Sequence, residues 1–105
     1  MITEEVGDVL TALADRTRRQ LLDVLADVGE ASATTLAARL PVSRQAVVKH
    51  LRVLEAAGLV AGVRAGREVR YSVRSDPLDV SARWLAELST AWDRRLRSLK
   101  RAAET

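Results

Sequence analysis

The sequence predicts a mainly α fold with one small β-hairpin, and three observations lead there. Apolar residues recur at three- and four-residue intervals through most of the 105 positions, the spacing that gathers side chains on one face of a helix. The stretch from Leu59 to Arg74 breaks this rhythm, mixing β-branched residues with Arg and Gly, as two short strands and a turn would. Helix punctuation recurs as well, with Thr, Asp or Ser ahead of the apolar runs and Gly or Pro behind them.

The elements follow in order. Behind Thr3, a suitable cap, Val6, Val9, Leu10 and Leu13 predict a helix over 5–13. Asp15 opens a second helix, which carries Leu21, Leu22, Val24, Leu25 and Val28 and stops at Gly29. Thr34 reads as the cap of a short helix holding Leu36, Ala37 and Leu40, closed by Pro41. Ser43 caps the next, which runs to Ala57, and Gly58 suits the left-handed position beyond its end. A hairpin over 59–74 turns at Ala65-Gly66-Arg67-Glu68, and an amphipathic helix over 78–102 follows Pro77. No repeat, low-complexity tract or linker interrupts this order, so one domain over 1–105 is expected.

Composition narrows the setting. Without Cys there is no disulfide and no thiolate metal site, which fits an intracellular chain. The acidic start lacks the layout of a signal peptide, and no apolar run is long enough to span a bilayer. A cytoplasmic protein without membrane contact is the expectation.

The net charge of +3 is unevenly spread. Residues 1–30 hold seven acids and three bases, whereas residues 44–74 hold seven bases against Glu55 and Glu68. One basic surface facing a polyanion would explain the asymmetry, and so would a plain solvated face; geometry has to decide.

Residues 34–58 supply that geometry. Two helices joined only by Leu40-Pro41-Val42 must pack across one small core, the helix-turn-helix arrangement. On the second helix Val47, Leu51 and Leu54 share an inward face, and Arg44, Gln45, Val48, Lys49 and Arg52 fall opposite. A solvent face explains Lys49 and Arg52 but not Val48. A helix that reads DNA explains all five: Arg44 suits guanine, Gln45 adenine and Val48 a thymine methyl, while Lys49 and Arg52 suit phosphates. The hydroxyls of Thr34 and Ser43, at the helix starts, join the candidate DNA-contacting set.

The hairpin extends it. Arg64, Arg67 and Arg70 are expected outward around the tip, with Val69, Tyr71 and Val73 on the other face. An Arg on a thin loop can enter a narrow minor groove. A basic strand edge that merely discourages aggregation is the plainer alternative, but a hairpin directly after such a helix reads as a wing.

These residues resemble the ArsR/SmtB repressors. The likeness lies in Ala12-Leu13-Ala14-Asp15-Arg16-Thr17-Arg18-Arg19, in Val42-Ser43-Arg44-Gln45-Ala46-Val47-Val48-Lys49-His50-Leu51-Arg52-Val53-Leu54, in Ala57-Gly58-Leu59-Val60, and in Gly66-Arg67-Glu68-Val69-Arg70-Tyr71. It implies a winged helix-turn-helix that binds double-stranded operator DNA as a homodimeric repressor, paired through its first and last helices. Val48 departs from the family, which often has Ser there. Metal-sensing members carry Cys on the helix equivalent to 35–40, or His and acidic ligands on the last helix. Neither set is present here, which points to the metal-site-free branch and leaves room for an unknown small-molecule inducer.

Other chemistries find little support. The single His, His50, flanks the inward face of its helix and suits packing or a phosphate contact; no ligand set for zinc accompanies it. Ser43 has a cap's role and no base near it in sequence, and no Gly-rich phosphate loop or acid pair occurs. Neither an enzyme nor a cofactor is expected.

On the last helix Leu85, Leu88, Trp92, Leu96 and Leu99 recur near the 3.5-residue spacing of a packing seam, and Trp84 widens it. With Val6, Val9, Leu10 and Leu13 they are the candidate dimer interface. A winged-helix module that binds protein or RNA without reading an operator is the alternative, since fold alone does not set function.

Overall fold

The computed structural model describes residues 3–104. Its elements are α1 (Glu4–Leu13), α2 (Arg16–Val28), β1 (Glu30–Ser32), α3 (Ala33–Arg39), α4 (Arg44–Ala56), β2 (Val60–Ala65), β3 (Glu68–Val73) and α5 (Asp76–Glu104). The strands form one antiparallel sheet in the order β1-β3-β2.

The helix caps fall where the sequence suggests them, with one exception. The Thr3 hydroxyl accepts from the Val6 amide, the Asp15 carboxylate from Arg18 and the Ser43 hydroxyl from Ala46, each filling an amide that a helix start leaves without a partner. The exception is α3. Its cap is Ser32, which accepts from the Thr35 amide, and Thr34 lies inside the first turn. Gly58 follows α4 at φ +77° and Gly66 opens the wing turn at φ +66°, both in the left-handed region where a side chain is costly. The last helix begins at Asp76 rather than 78, because Pro77 tolerates a first helical turn well.

The expected hairpin is present as β2 and β3, and a third strand joins it: Glu30, Ala31 and Ser32 pair with Ser72, Tyr71 and Arg70. Such a short run has no signal of its own and is a strand only because β3 offers an edge. Val6 and Val9, expected in a dimer interface, are 1% and 0% exposed within the single chain and have no surface left for a partner. The core joins Val9, Leu21, Leu25, Leu36, Val47, Leu51, Leu54, Leu59 and Val60, so every element before the wing contributes to it.

Two arginines lock α1 onto this body. Arg18 donates through Nε to the Ala12 carbonyl at 2.7 Å and through a terminal nitrogen to Thr11, and Arg19 donates to Leu13. They add donors to the carbonyls at the end of a helix whose own last turn carries no base, where Thr11 also accepts from the Ala14 amide.

Candidate nucleic-acid interface

The faces of α4 separate as its sequence indicates. Val47, Leu51 and Leu54 are wholly buried, while Arg44, Gln45, Lys49 and Arg52 are exposed. These four and Val48 line one shallow surface. Val48 is half-buried and packs against the core as well, so part of its apolar character serves the fold.

Arg44 is held at its root. Its Nε donates to the Thr34 hydroxyl at 3.1 Å, which ties the start of α4 to the first turn of α3. Thr34 therefore supports a neighbour's guanidinium, a role that sequence reading missed because the two positions are ten residues apart.

Between the start of α4 and the wing lies a cleft of about 320 Å³, lined in part by Thr34, Arg44, Val48, Arg67, Val69 and Tyr71. One candidate from each element of the motif thus meets at a single concavity. Val69 and Tyr71, expected on the far face of the hairpin, are part of it.

The wing departs from expectation in its faces. Paired residues of an antiparallel sheet share a face, and the register sets Arg64 against Val69 but Arg70 against Val63. Arg64 and Arg70 therefore point to opposite sides. Arg70 is also engaged within the chain, contacting Glu68 at 3.3 Å and Glu30 at 3.4 Å. Its hydrogen bonds to the carboxylates of Glu68, then Glu30, raise the pKa of its guanidinium above the ordinary value. Its charge is balanced where it stands. Among the described residues Arg64 and Arg67 have no such carboxylate, and they flank or occupy the exposed turn.

His50 faces away from the shallow surface. Its Nδ1 lies 3.4 Å from an Arg18 terminal nitrogen and 3.9 Å from the Asp15 carboxylate. A guanidinium only donates, so Nδ1 accepts in that contact. The phosphate role considered for His50 gives way to packing: it joins α4 to the start of α2. The backbone amide of Arg18, donating to Asp15, holds that carboxyl below the ordinary value of 3.8, and His50 and Arg18 lower it further. Among the described residues no three His, Cys, Asp or Glu side chains are grouped to hold a metal ion, and no helix is long and apolar enough to cross a membrane.

Of the dimer candidates, Leu10, Leu13 and Trp84 are half-buried, whereas Leu85, Leu88, Trp92, Leu96 and Leu99 are exposed on α5. This helix is about 43 Å long at 1.5 Å per residue. Its buried residues, Pro77 and Ser81, lie in its first two turns.

A short helix, a tight turn and a second helix with a polar, basic outer face beside a β-wing define a winged helix-turn-helix protein. A helix-turn-helix domain family matches residues 13–63. The transcriptional repressor SdpR of Bacillus subtilis is 30% identical over 80 residues, spanning 76% of this chain and 88% of that protein. Among solved structures, an ArsR-like transcriptional regulator from Rhodococcus sp. RHA1 superposes with a TM-score of 0.84 at 46% identity, covering 94% of this chain and 92% of that one. A homodimeric winged helix-turn-helix DNA-binding domain from Mycobacterium bovis gives a TM-score of 0.67 at 28% identity, covering 84% and 80%. The chain belongs to the ArsR family of helix-turn-helix transcriptional regulators. It is a DNA-binding regulator of transcription.

Proposed function

We propose that the chain is a cytoplasmic, homodimeric repressor that binds an inverted-repeat operator. The observation that carries this reading is the shared outer face of Arg44, Gln45, Val48, Lys49 and Arg52, set beside the wing turn. Placed in a major groove, Arg44 and Gln45 at the helix start reach base edges and Lys49 and Arg52 hold phosphates. Arg67, at the wing tip, enters the adjacent minor groove, with Arg64 beside it. Arg70, already paired, contributes structure to the wing more than contact. The exposed apolar stripe of α5 supports assembly into a dimer, as does the homodimeric relative. The repressor named among the relatives supports the sign of regulation.

A two-fold dimer presents two reading helices, so the half-sites are centred about one helical turn apart, roughly 10–11 base pairs. Selection of bound duplexes from a random pool, followed by titration at physiological salt with RNA as competitor, tests the reading. An inverted repeat bound by two chains is expected. A single asymmetric half bound by one chain, or a preference for RNA, would overturn it.

A further inference from the structure

Residues 44–74 hold two acids among seven bases, and both acids belong to the wing. Glu68 pairs with Arg70 inside it. Glu55, the one acid of α4, makes no ion pair among the described residues. Its carboxylate turns to the wing, where Oε2 accepts from the Gly62 amide at 3.3 Å. Its backbone carbonyl accepts from the Gly58 amide at 2.9 Å, within the link of Ala57, Gly58 and Leu59 that joins α4 to β2. One residue therefore holds both the turn out of α4 and the first half of β2.

The sheet explains why a side chain is needed there. In the order β1-β3-β2, β3 is closed on one side by β2 and on the other by β1. Among the described residues no strand lies on the outer side of β2. An amide on such an edge is left to water unless another group accepts from it. Glu55 gives the edge of β2 what β1 gives to β3. Its place on the helix fits this role. Arg44, Val48 and Glu55 fall within an arc of about 40° on a helix of 3.6 residues per turn. Arg44 and Val48 line the cleft against the wing, and Glu55 continues that flank to about 16 Å from Arg44.

We propose that Glu55 sets the angle of the wing against α4, and thereby the place where Arg67 meets DNA. It is a positioning residue, acting through the Gly62 amide. This rests on the reading of Arg67 as a minor-groove contact and adds what aims it. The lever is long enough to matter. From Gly62 to the turn at Gly66 the strand runs about 13 Å, so a tilt of about 10° at Gly62 carries the tip about 2 Å. A shift of that size takes a guanidinium out of hydrogen-bond reach.

The test measures the loss of operator affinity caused by Arg67→Ala in three backgrounds: the unmodified chain, Glu55→Gln and Glu55→Ala. Glutamine keeps an oxygen for the Gly62 amide and removes the charge, whereas alanine removes both. A direct electrostatic effect of Glu55 on DNA or on Arg67 is therefore lost equally in the two variants. Glu55 is exposed, so each variant is expected to fold. The loss from Arg67→Ala should match in the unmodified chain and Glu55→Gln, and be at least about threefold smaller in Glu55→Ala. Without DNA, hydrogen exchange at the Gly62 amide should be slow in the first two and several-fold faster in Glu55→Ala. An equal Arg67 loss in all three backgrounds would overturn the proposal. So would a Glu55→Gln chain that behaves as Glu55→Ala does, or a Gly62 amide that exchanges equally fast in all three. If Arg67→Ala costs nothing in the unmodified chain, the minor-groove reading of the wing is what fails, and this proposal falls with it.

Discussion

Arg44 donates through Nε to the Thr34 hydroxyl at 3.1 Å, joining the two helices of the motif at the ends nearest the wing. Because the bond uses Nε, both terminal nitrogens of Arg44 stay free for the two acceptors of a guanine edge. Thr34→Val keeps the shape and removes the acceptor. We expect it to lower operator affinity by about 0.5–1.5 kcal/mol per half-site, the worth of one ordinary hydrogen bond, with little change on scrambled duplex. Thr34→Ser should retain most of the affinity. Equal losses on both DNAs would assign the hydroxyl to a phosphate.

Reading and holding separate along α4. Gln45→Ala should cost on the order of 1–3 kcal/mol per half-site on operator and much less on random sequence. Arg52→Ala should weaken both alike and reduce the slope of log affinity against log salt by about one unit for each phosphate left without its cation. Isotherms on operator and scrambled duplex at several salt concentrations check the assignment. Loss of base preference in Arg52→Ala would reverse it.

Gly62 makes room for the wing to fold. A Cβ at this position would lie 2.9 Å from Val69 Cγ1 and 3.0 Å from Tyr71 Cε1, so those side chains or the strands that carry them must shift to admit it. Gly62→Ala should destabilise the chain by about 1–3 kcal/mol, the usual cost of overpacking, and lower the thermal midpoint. DNA binding should fall with it, since Val69 and Tyr71 line the cleft beside Arg44. An unchanged midpoint would mean that both side chains turn aside freely.

Asp15 gives stability a defined pH dependence. Its carboxyl titrates below 3.8 in the folded chain, chiefly because the Arg18 amide donates to it. A depressed folded-state pKa makes the contribution complete above the unfolded value and lost as pH falls through the folded one. Urea unfolding of the unmodified chain and of Asp15→Ala should therefore differ most near neutral pH and converge below about pH 4. A gap that stays constant into acid would show that the cap works without its charge.

Some of this is legible in the chain alone and some is not, and α4 and the wing show the difference. On a helix, facing is set by spacing within the same segment, so Val47, Leu51 and Leu54 inward and Arg44, Gln45, Lys49 and Arg52 outward can be read directly. On the hairpin, facing depends on register with another strand. One position separates Arg64 from its neighbours' expected side, and Arg70 finds Glu30 forty residues away. The cap of α3 escapes sequence reading for a related reason: Ser32 and Thr34 both precede the apolar run, and the short pairing of Glu30–Ser32 with β3 decides between them.

By itself, then, the sequence determined the helices, every cap it named but that of α3, the basic face of α4 and the apolar stripe of α5, because each follows from interactions within a few residues. The tertiary structure decided which apolar side chains the single chain consumes and which it leaves out. Val6 and Val9 are enclosed by the body of the fold, while Leu85 to Leu99 extend beyond it on a helix longer than the core it packs on. It also decided that Thr34 braces Arg44 and that Arg70 directs its charge to Glu30 and Glu68. Those outcomes depend on segments distant in sequence being brought within a few ångströms, and no local pattern encodes that distance.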